Sequence, residues 1–116
     1  LHPPPHFPYL RNESSFVLRV ATRHGVVLLT GDIGEAIESR LVAGDAAALR
    51  ADVVLVAHHG SGSSSSPAFV AATGARHALV STGFGNRFGH PRRDVMARWH
   101  AAGALAHDTA AHGALD

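Results

Sequence analysis

The sequence predicts an α/β fold in which a mixed β-sheet is flanked by helices. After Gly31, segments with the apolar period of strands alternate with segments that have the period of helices. Such alternation is typical of parallel strands joined by helical crossovers. Before Gly31, two consecutive strand-like segments are separated by a short turn, which adds an antiparallel hairpin to the sheet.

The hairpin is predicted over residues 14–30. In "SSFVLRVAT", Phe16, Leu18 and Val20 share one face and Arg19 lies on the other, as expected of a half-buried strand. "RHG" forms the turn, and the apolar "VVLLTGD" forms the second strand. A helix should follow, because apolar residues then recur at the spacing of one helical face until about Gly44; these residues are Ile33, Ile37 and Leu41.

The remaining elements continue the alternation. "ADVVLVAHH" and "HALVST" are predicted as the third and fourth strands. A helix between them should start at Ser66 and Pro67, which are a hydroxyl cap and a first-turn proline, and end near Gly74. A last helix, "PRRDVMARWHAAG", should end at Gly103, and "ALAHDT" and "HGAL" are expected to form one or two short strands.

Composition narrows the possible functions. The chain has 116 residues and a net charge of +1, so it forms one domain or part of one and has no broad basic face. Cysteine is absent, so a metal ion would have to be held by His, Asp or Glu, and the chain has 10 histidines. It lacks the apolar run of a membrane helix and a visible signal peptide. It starts on Leu1, and we expect a fragment in which residues 1–13 are a connector.

Polar residues follow three of the predicted strands, where ligands bind in layered sheets. Each stretch alone has an ordinary explanation, such as a turn, a helix cap or a polar loop. Adjacent histidines on a strand would also point to opposite faces, unless the loop at Gly60 relaxes that limit. Because all three polar stretches are expected at the same edge of the sheet, the sequence predicts a single site there. Its residues would be Asp32, His58, His59, Ser61, Asn86, Arg87 and His90.

Asp and His without Cys favour hydrolytic metal catalysis at this edge, with a pair of cations that binds hydroxide and the oxygens of a phosphate or acyl group. Asp32 would bridge the cations, and His58 or His59 would bind one of them. Arg87 is suited to a phosphate, and Asn86 or His90 would orient or protonate the leaving group. Ser61 would let the backbone approach the substrate. A serine nucleophile is disfavoured, because "HHGS" has no nucleophile-elbow pattern. The other histidines are expected to be structural or exposed: His2, His6, His24, His77, His100, His107 and His112.

The chain resembles the carboxyl-terminal metallo-β-lactamase-fold domain of ComEC-type competence proteins. The resemblance rests on "NESSFVLRV", "LLTGDI", "ADVVLVAHHGSGSSSS", "ALVSTGFGNRFGHP" and a later "DT" and "G", in this order and spacing. It implies the carboxyl-terminal half of an αββα sandwich, with two facing mixed sheets and a two-metal site that uses zinc or manganese. Asp32 matches the metal-bridging aspartate of the family, while His58, His59 and His90 are candidate ligands. Asp32, His59 and His90 are the expected catalytic residues, and Ser61, Asn86 and Arg87 the expected substrate contacts.

The resemblance also implies a setting. The protein would belong to the inner membrane, with this part as a soluble extramembrane domain, and would act with DNA, the transmembrane channel of the same polypeptide and other competence proteins. The domain would be a nuclease that degrades the strand that is not imported. The main metal motif of the family, H-x-H-x-D-H, is missing from this chain. The fragment alone is therefore expected to be inactive and to expose half a core. The alternatives are an inert module that guides DNA or assembles the channel, and a soluble metallo-hydrolase with another substrate.

Overall fold

The computed structural model describes residues 1–115. In this range, five strands form a single sheet in the order in which they occur along the chain. The first pair is antiparallel and the other three pairs are parallel, which confirms the predicted mixed sheet. The strands are β1 (Leu18–Thr22), β2 (Gly25–Leu29), β3 (Val53–Leu55), β4 (His77–Val80) and β5 (Leu105–Asp108).

The connections between strands contain the predicted helices. These are α1 (Glu35–Asp45), α2 (Pro67–Thr73) and α3 (Arg93–Ala101), and a further short helix that was not predicted, α4 (Thr109–His112), follows β5. Three short 3-10 turns accompany them, at Arg11–Ser14, Ala46–Leu49 and Ala57–Gly60. None of the helices in residues 1–115 combines the length and the apolarity needed to cross a membrane.

The start and end of α2 follow the signals in the sequence. The Ser66 hydroxyl accepts a hydrogen bond from the Phe69 N–H at 3.3 Å, and Pro67 occupies the first turn. The helix ends at Gly74, whose φ of 55° is in the left-handed region that favours glycine. Of the one or two short strands expected at the carboxyl end, "ALAHDT" contains β5, whereas "HGAL" is not a strand. Residues 109–112 form α4 instead, and Asp108 caps it by accepting from the Ala110 N–H at 2.9 Å.

One face of the sheet carries the core. Leu28, Val54 and Ala78 lie side by side on β2, β3 and β4, and each has 0% of its surface exposed. They pack in one cluster with apolar side chains of the helices, including the fully buried Phe69 and the Trp99 ring. Close packing of large apolar groups is the main source of stability in such a layer.

The opposite face, which we call the open sheet face, is also apolar but only partly buried. Two rows cross it in register: Leu18, Leu29, Leu55, Leu79 and His107, and then Val20, Val27, Val53, His77 and Leu105. Leu18, Val20 and Leu105 are 49%, 46% and 59% exposed. The face of β1 predicted to be buried is therefore exposed in this structure, together with Phe16, and the buried residue is Val17.

The serine run before α2 is anchored rather than loose. Ser64 and Ser65 are fully buried. The carboxylate of Glu38, on α1, accepts hydrogen bonds from the backbone N–H groups of Ser65 and Ser66 at 2.6 and 2.8 Å. The Trp99 indole N–H, from α3, donates to the Ser65 hydroxyl at 3.0 Å. Two helices thus fix the segment that follows the adjacent histidines.

Candidate functional site

The predicted site residues meet along one edge of the sheet, which we call the rim and define as the edge where β2, β3 and β4 end. Asp32 follows β2, the turn 57–60 follows β3, and the loop 81–92 follows β4. The three strands are parallel, so their carboxyl ends lie side by side. This arrangement explains how residues separated by tens of positions come together.

The two histidines lie in a turn, not on a strand. The third strand was predicted to run through His59, but β3 ends at Leu55. His58 and His59 have φ values of 51° and 55°, in the left-handed region that costs a residue with a side chain about 1–2 kcal/mol. Both rings therefore reach the rim, and the limit that strand geometry places on adjacent side chains does not apply. Hydrogen bonds from the His58 N–H to the Gly31 carbonyl (3.0 Å) and from the Ser61 N–H to the His58 carbonyl (2.9 Å) hold the turn.

His59 and Asp32 form the central pair of the rim. The Nε2 atom of His59 lies 3.4 Å from Oδ1 of Asp32. On its other side, Nδ1 of His59 lies 2.7 Å from the carbonyl oxygen of Ser81, so Nδ1 carries the proton and donates. Nε2 is thereby left facing the carboxylate. The two side chains are 52% and 39% exposed, so the pair adds little to stability and is open to a ligand.

His58 faces a second group of polar residues. Its Nε2 atom is 3.5 Å from the amide nitrogen of Asn12, and its ring meets the His90 ring edge-on with centroids 6.2 Å apart. Burial lowers the pKa of His90 from its ordinary value, and the nearby His58, His59 and Arg92 lower it further. A neutral His90 ring is favoured by these surroundings.

The predicted substrate contacts have identified neighbours. The Asn86 amide closes its own loop, because Nδ2 donates to the His90 carbonyl at 2.6 Å and Oδ1 accepts from the His90 N–H at 3.0 Å. The Arg87 guanidinium lies over the Phe88 ring, 5.0 Å from its centroid. The Ser61 hydroxyl is 3.1 Å from that of Ser63. In this structure, Asn86 shapes the loop, while Arg87 remains exposed to solvent.

Sequence reasoning missed several residues that support the rim. The Thr82 hydroxyl donates to Asp108, and the Thr109 hydroxyl accepts from the Thr82 N–H at 2.9 Å, so β5 braces the start of loop 81–92. Oε1 of Glu13 accepts from the Gly34 N–H at 3.0 Å, while its Oε2 is buried without a hydrogen-bond partner in the described chain. "NESS" and "DT" were the available signals, but neither motif indicates which partner it contacts.

A cavity of about 400 Å³ opens beside the central pair. Its lining combines imidazole, hydroxyl and amide groups with one aromatic ring, and consists of His59, Ser81, Thr82, Gly83, Asn86, Phe88 and His90. A second cavity of about 430 Å³ lies away from the rim, against α1 and the amino-terminal segment. Throughout residues 1–115, no three His, Asp or Glu side chains are grouped as a metal site would require. The rim therefore presents a two-residue donor pair next to a polar cavity.

The structure is therefore that of an α/β protein with a carboxylate–imidazole pair at the ends of its parallel strands. Competence protein ComA of Neisseria gonorrhoeae is 36% identical to this chain over 104 residues, which are 90% of the chain and 15% of that protein. ComE operon protein 3 of Bacillus subtilis (strain 168) is 34% identical over 89 residues, which are 77% of the chain and 11% of that protein. The chain is thus related to a short part of competence proteins, which confirms that part of the resemblance.

The other two comparisons found no relatives. No family model matches the chain. No solved structure matches it either. The metallo-β-lactamase fold therefore stays a prediction, although the mixed sheet and its flanking helices are compatible with it.

Proposed function

We propose that this chain forms part of a metal-dependent hydrolase site that processes DNA during uptake by a competence protein. The central pair, with His59 Nε2 located 3.4 Å from Asp32 Oδ1, is the observation that carries the proposal. The relationship to Competence protein ComA supports the setting. Degradation of the strand that is not imported is the specific reaction that we propose.

The donor atoms of the central pair suit a divalent cation. Two ligand bonds of about 2.1 Å at a tetrahedral angle separate their donor atoms by about 3.4 Å, which is the observed separation in this pair. The hydrogen bond to Ser81 also fixes the His59 tautomer, as an outer-shell carbonyl does for a ligating histidine. Asp32 and His59 would hold zinc or manganese, with His58 and His90 as further candidates. A bound cation would supply charge neutralisation at a phosphodiester and a more acidic water.

This chain supplies only part of such a site. A catalytic zinc ion needs three protein ligands, and residues 1–115 contain no group of three that could hold one. The open sheet face suggests why the set of ligands is incomplete. Under this proposal, residues 1–116 are one portion of a two-sheet domain. A second sheet would cover Leu55 and Leu79 and would bring the other ligands. The rest of the polypeptide would also attach this domain to the inner membrane and its channel.

The chain's own residues would position the DNA. The exposed Arg87 would contact a backbone phosphate, because a guanidinium matches phosphate oxygens. Asn86 keeps His90 in place through two hydrogen bonds, and His90 would stand ready to move a proton at the leaving oxygen. Ser61, beside Gly60 and Gly62, would let the backbone approach the strand.

The test uses the full-length protein, linear double-stranded DNA and Mn²⁺. Asp32→Ala and His59→Gln should each lower the rate of strand degradation by at least about a hundredfold, because each removes a donor of the central pair. His24→Ala, in the turn between β1 and β2 away from the rim, is the matched control and should keep the parental rate. Metal content, measured by elemental analysis, should fall in the two rim variants alone. Full activity in Asp32→Ala would contradict the proposal.

An inert module that guides DNA or assembles the channel is the second candidate. The net charge of +1 and the incomplete donor set favour it. In that case the parent protein would bind DNA without degrading it, with or without Mn²⁺, and the rim variants would bind DNA as the parent does.

A further inference from the structure

Two phenylalanines of loop 81–92 point into solvent beside the rim. Phe84 is 92% exposed and Phe88 is 62% exposed. Neither belongs to the apolar cluster of the core. Burying each ring would have stabilised the fold by about 1.5–3 kcal/mol, so the fold gains little from them in their present positions. Two exposed rings within five residues therefore suggest a ligand.

Of the two rings, Phe88 directly adjoins the candidate site. Phe88 stacks on His90 with centroids 5.8 Å apart and an angle of 29° between the planes. The Arg87 guanidinium lies 5.0 Å from the centroid of the same ring. Phe88 and His90 both line the cavity that His59 also lines. A flat ligand that stacks here would lie next to the central pair.

The loop is held in place before any ligand arrives. Asn86 donates to the Gly83 and His90 carbonyls at 3.1 and 2.6 Å, which closes the segment that carries Phe88. The Thr82 backbone is fixed by Thr109 on both its N–H and its carbonyl, each at 2.9 Å. An ordered loop loses less conformational entropy on binding, so exposed rings on it are suited to recognition.

We propose that Phe84 and Phe88 are a stacking platform for the unpaired bases of a DNA strand whose backbone reaches the central pair. This inference rests on the function proposed above. Aromatic rings bind bases of any sequence through their flat faces, and an adjacent arginine adds a cation–π contribution. Bases in a duplex have no free faces, so the platform selects single strands or frayed ends. It therefore gives the site a substrate preference that Asp32 and His59 cannot supply.

The test separates base stacking from backbone contact. Binding of fluorescein-labelled oligothymidylate to the full-length protein is measured by fluorescence anisotropy in EDTA, so that no hydrolysis occurs. A matched oligonucleotide with abasic sites has the same phosphates and no bases. Phe84→Leu and Phe88→Leu keep apolar bulk without a ring, and Phe84→Trp and Phe88→Trp keep a ring.

The leucine variants should weaken oligothymidylate binding by about five- to a hundredfold each, and the tryptophan variants should bind like the parent. Binding of the abasic strand should be weaker than that of oligothymidylate and should not change among the variants. Equal binding of oligothymidylate by the parent and both leucine variants would overturn the platform. Failure of the proposed hydrolysis would be a separate result. In that case the parent protein would not degrade DNA in Mn²⁺ but would still bind oligothymidylate more tightly than the abasic strand.

Discussion

Glu38 lies entirely beneath the surface, where it accepts hydrogen bonds from Ser65 and Ser66. Burial raises the pKa of this carboxyl above its ordinary value of 4.5, and the two hydrogen bonds only partly oppose that rise. A carboxyl with a raised pKa in the folded protein destabilises the fold once it ionises. The free energy of unfolding should therefore fall as the pH rises from 4.5 through the folded pKa.

Glu38→Gln should remove this pH dependence and lower stability by about 1–3 kcal/mol, because an amide NH₂ would face a backbone N–H donor. Urea unfolding between about pH 4 and 7 measures both effects. Ser39→Gln, at an exposed and uncharged position of the same helix, is the control and should change stability by less than about 0.5 kcal/mol. An unchanged pH profile in Glu38→Gln would show that another group is responsible.

Individual site residues were predictable, but their partners were not. Asp32 and His59 were expected at one edge because both follow strands of a parallel sheet, and they lie 3.4 Å apart. The contact of His59 with Ser81, by contrast, depends on the left-handed conformation of the turn. Because a left-handed conformation is uncommon for residues other than glycine, the sequence did not predict the turn that directs His59 toward Ser81.

The turn at 57–60 and the loop at 81–92 act as one unit through Gly60. A Cβ added to Gly60 would lie 2.7 Å from the Cβ of Pro91, and the glycine has a φ of 75°. The Arg92 N–H also donates to the Gly60 carbonyl at 2.9 Å. Gly60→Ala should therefore cost about 1–3 kcal/mol of stability and displace Pro91 together with the adjacent His90.

Gly62→Ala is the matched control for that substitution. Its added Cβ would meet only the flexible Arg92 side chain, at 3.9 Å. It should leave stability close to that of the parent, whereas Gly60→Ala should reduce both stability and strand degradation. Thermal unfolding and the DNA assay measure the difference. If the two alanine variants behave alike, the packing of Gly60 on Pro91 is unimportant.

Element ends were the least predictable feature at this scale. "VVLVA" is apolar throughout, so its composition gave no sign that β3 stops at Leu55. The carboxyl-terminal "DT" was assigned to a strand, but Asp108 is also a helix cap, and this second role starts α4. The proline start of α2 at Pro67 was predicted well because that signal is local, whereas α3 begins at Arg93, two residues after the Pro91 that was expected to start it.

Within residues 1–115, both faces of the sheet are apolar, and α1, α2 and α3 pack on one of them. Alternation in β1 correctly predicted that Leu18 and Val20 share a face, but it could not show what covers that face. The alternation of apolar and polar residues along a strand indicates which side chains are buried in the complete fold. An exposed apolar face in this chain is therefore consistent with a domain that is completed by further chain, as we propose.

Substitutions on the open sheet face should have a favourable effect in the isolated chain and an unfavourable effect in the full-length protein. In the isolated 116-residue chain, replacing Leu55 and Leu79 by Thr should reduce self-association and binding of an apolar dye, because the double change removes exposed apolar surface. In the full-length protein the same change should lower the unfolding temperature and the strand-degradation rate. There the two side chains would be buried against the second sheet, where the loss of such contacts costs about 2–5 kcal/mol per leucine. Analytical ultracentrifugation of the fragment and calorimetry of the full-length protein measure the two effects. If the double variant left the full-length protein as stable as the parent, no second sheet would pack on this face.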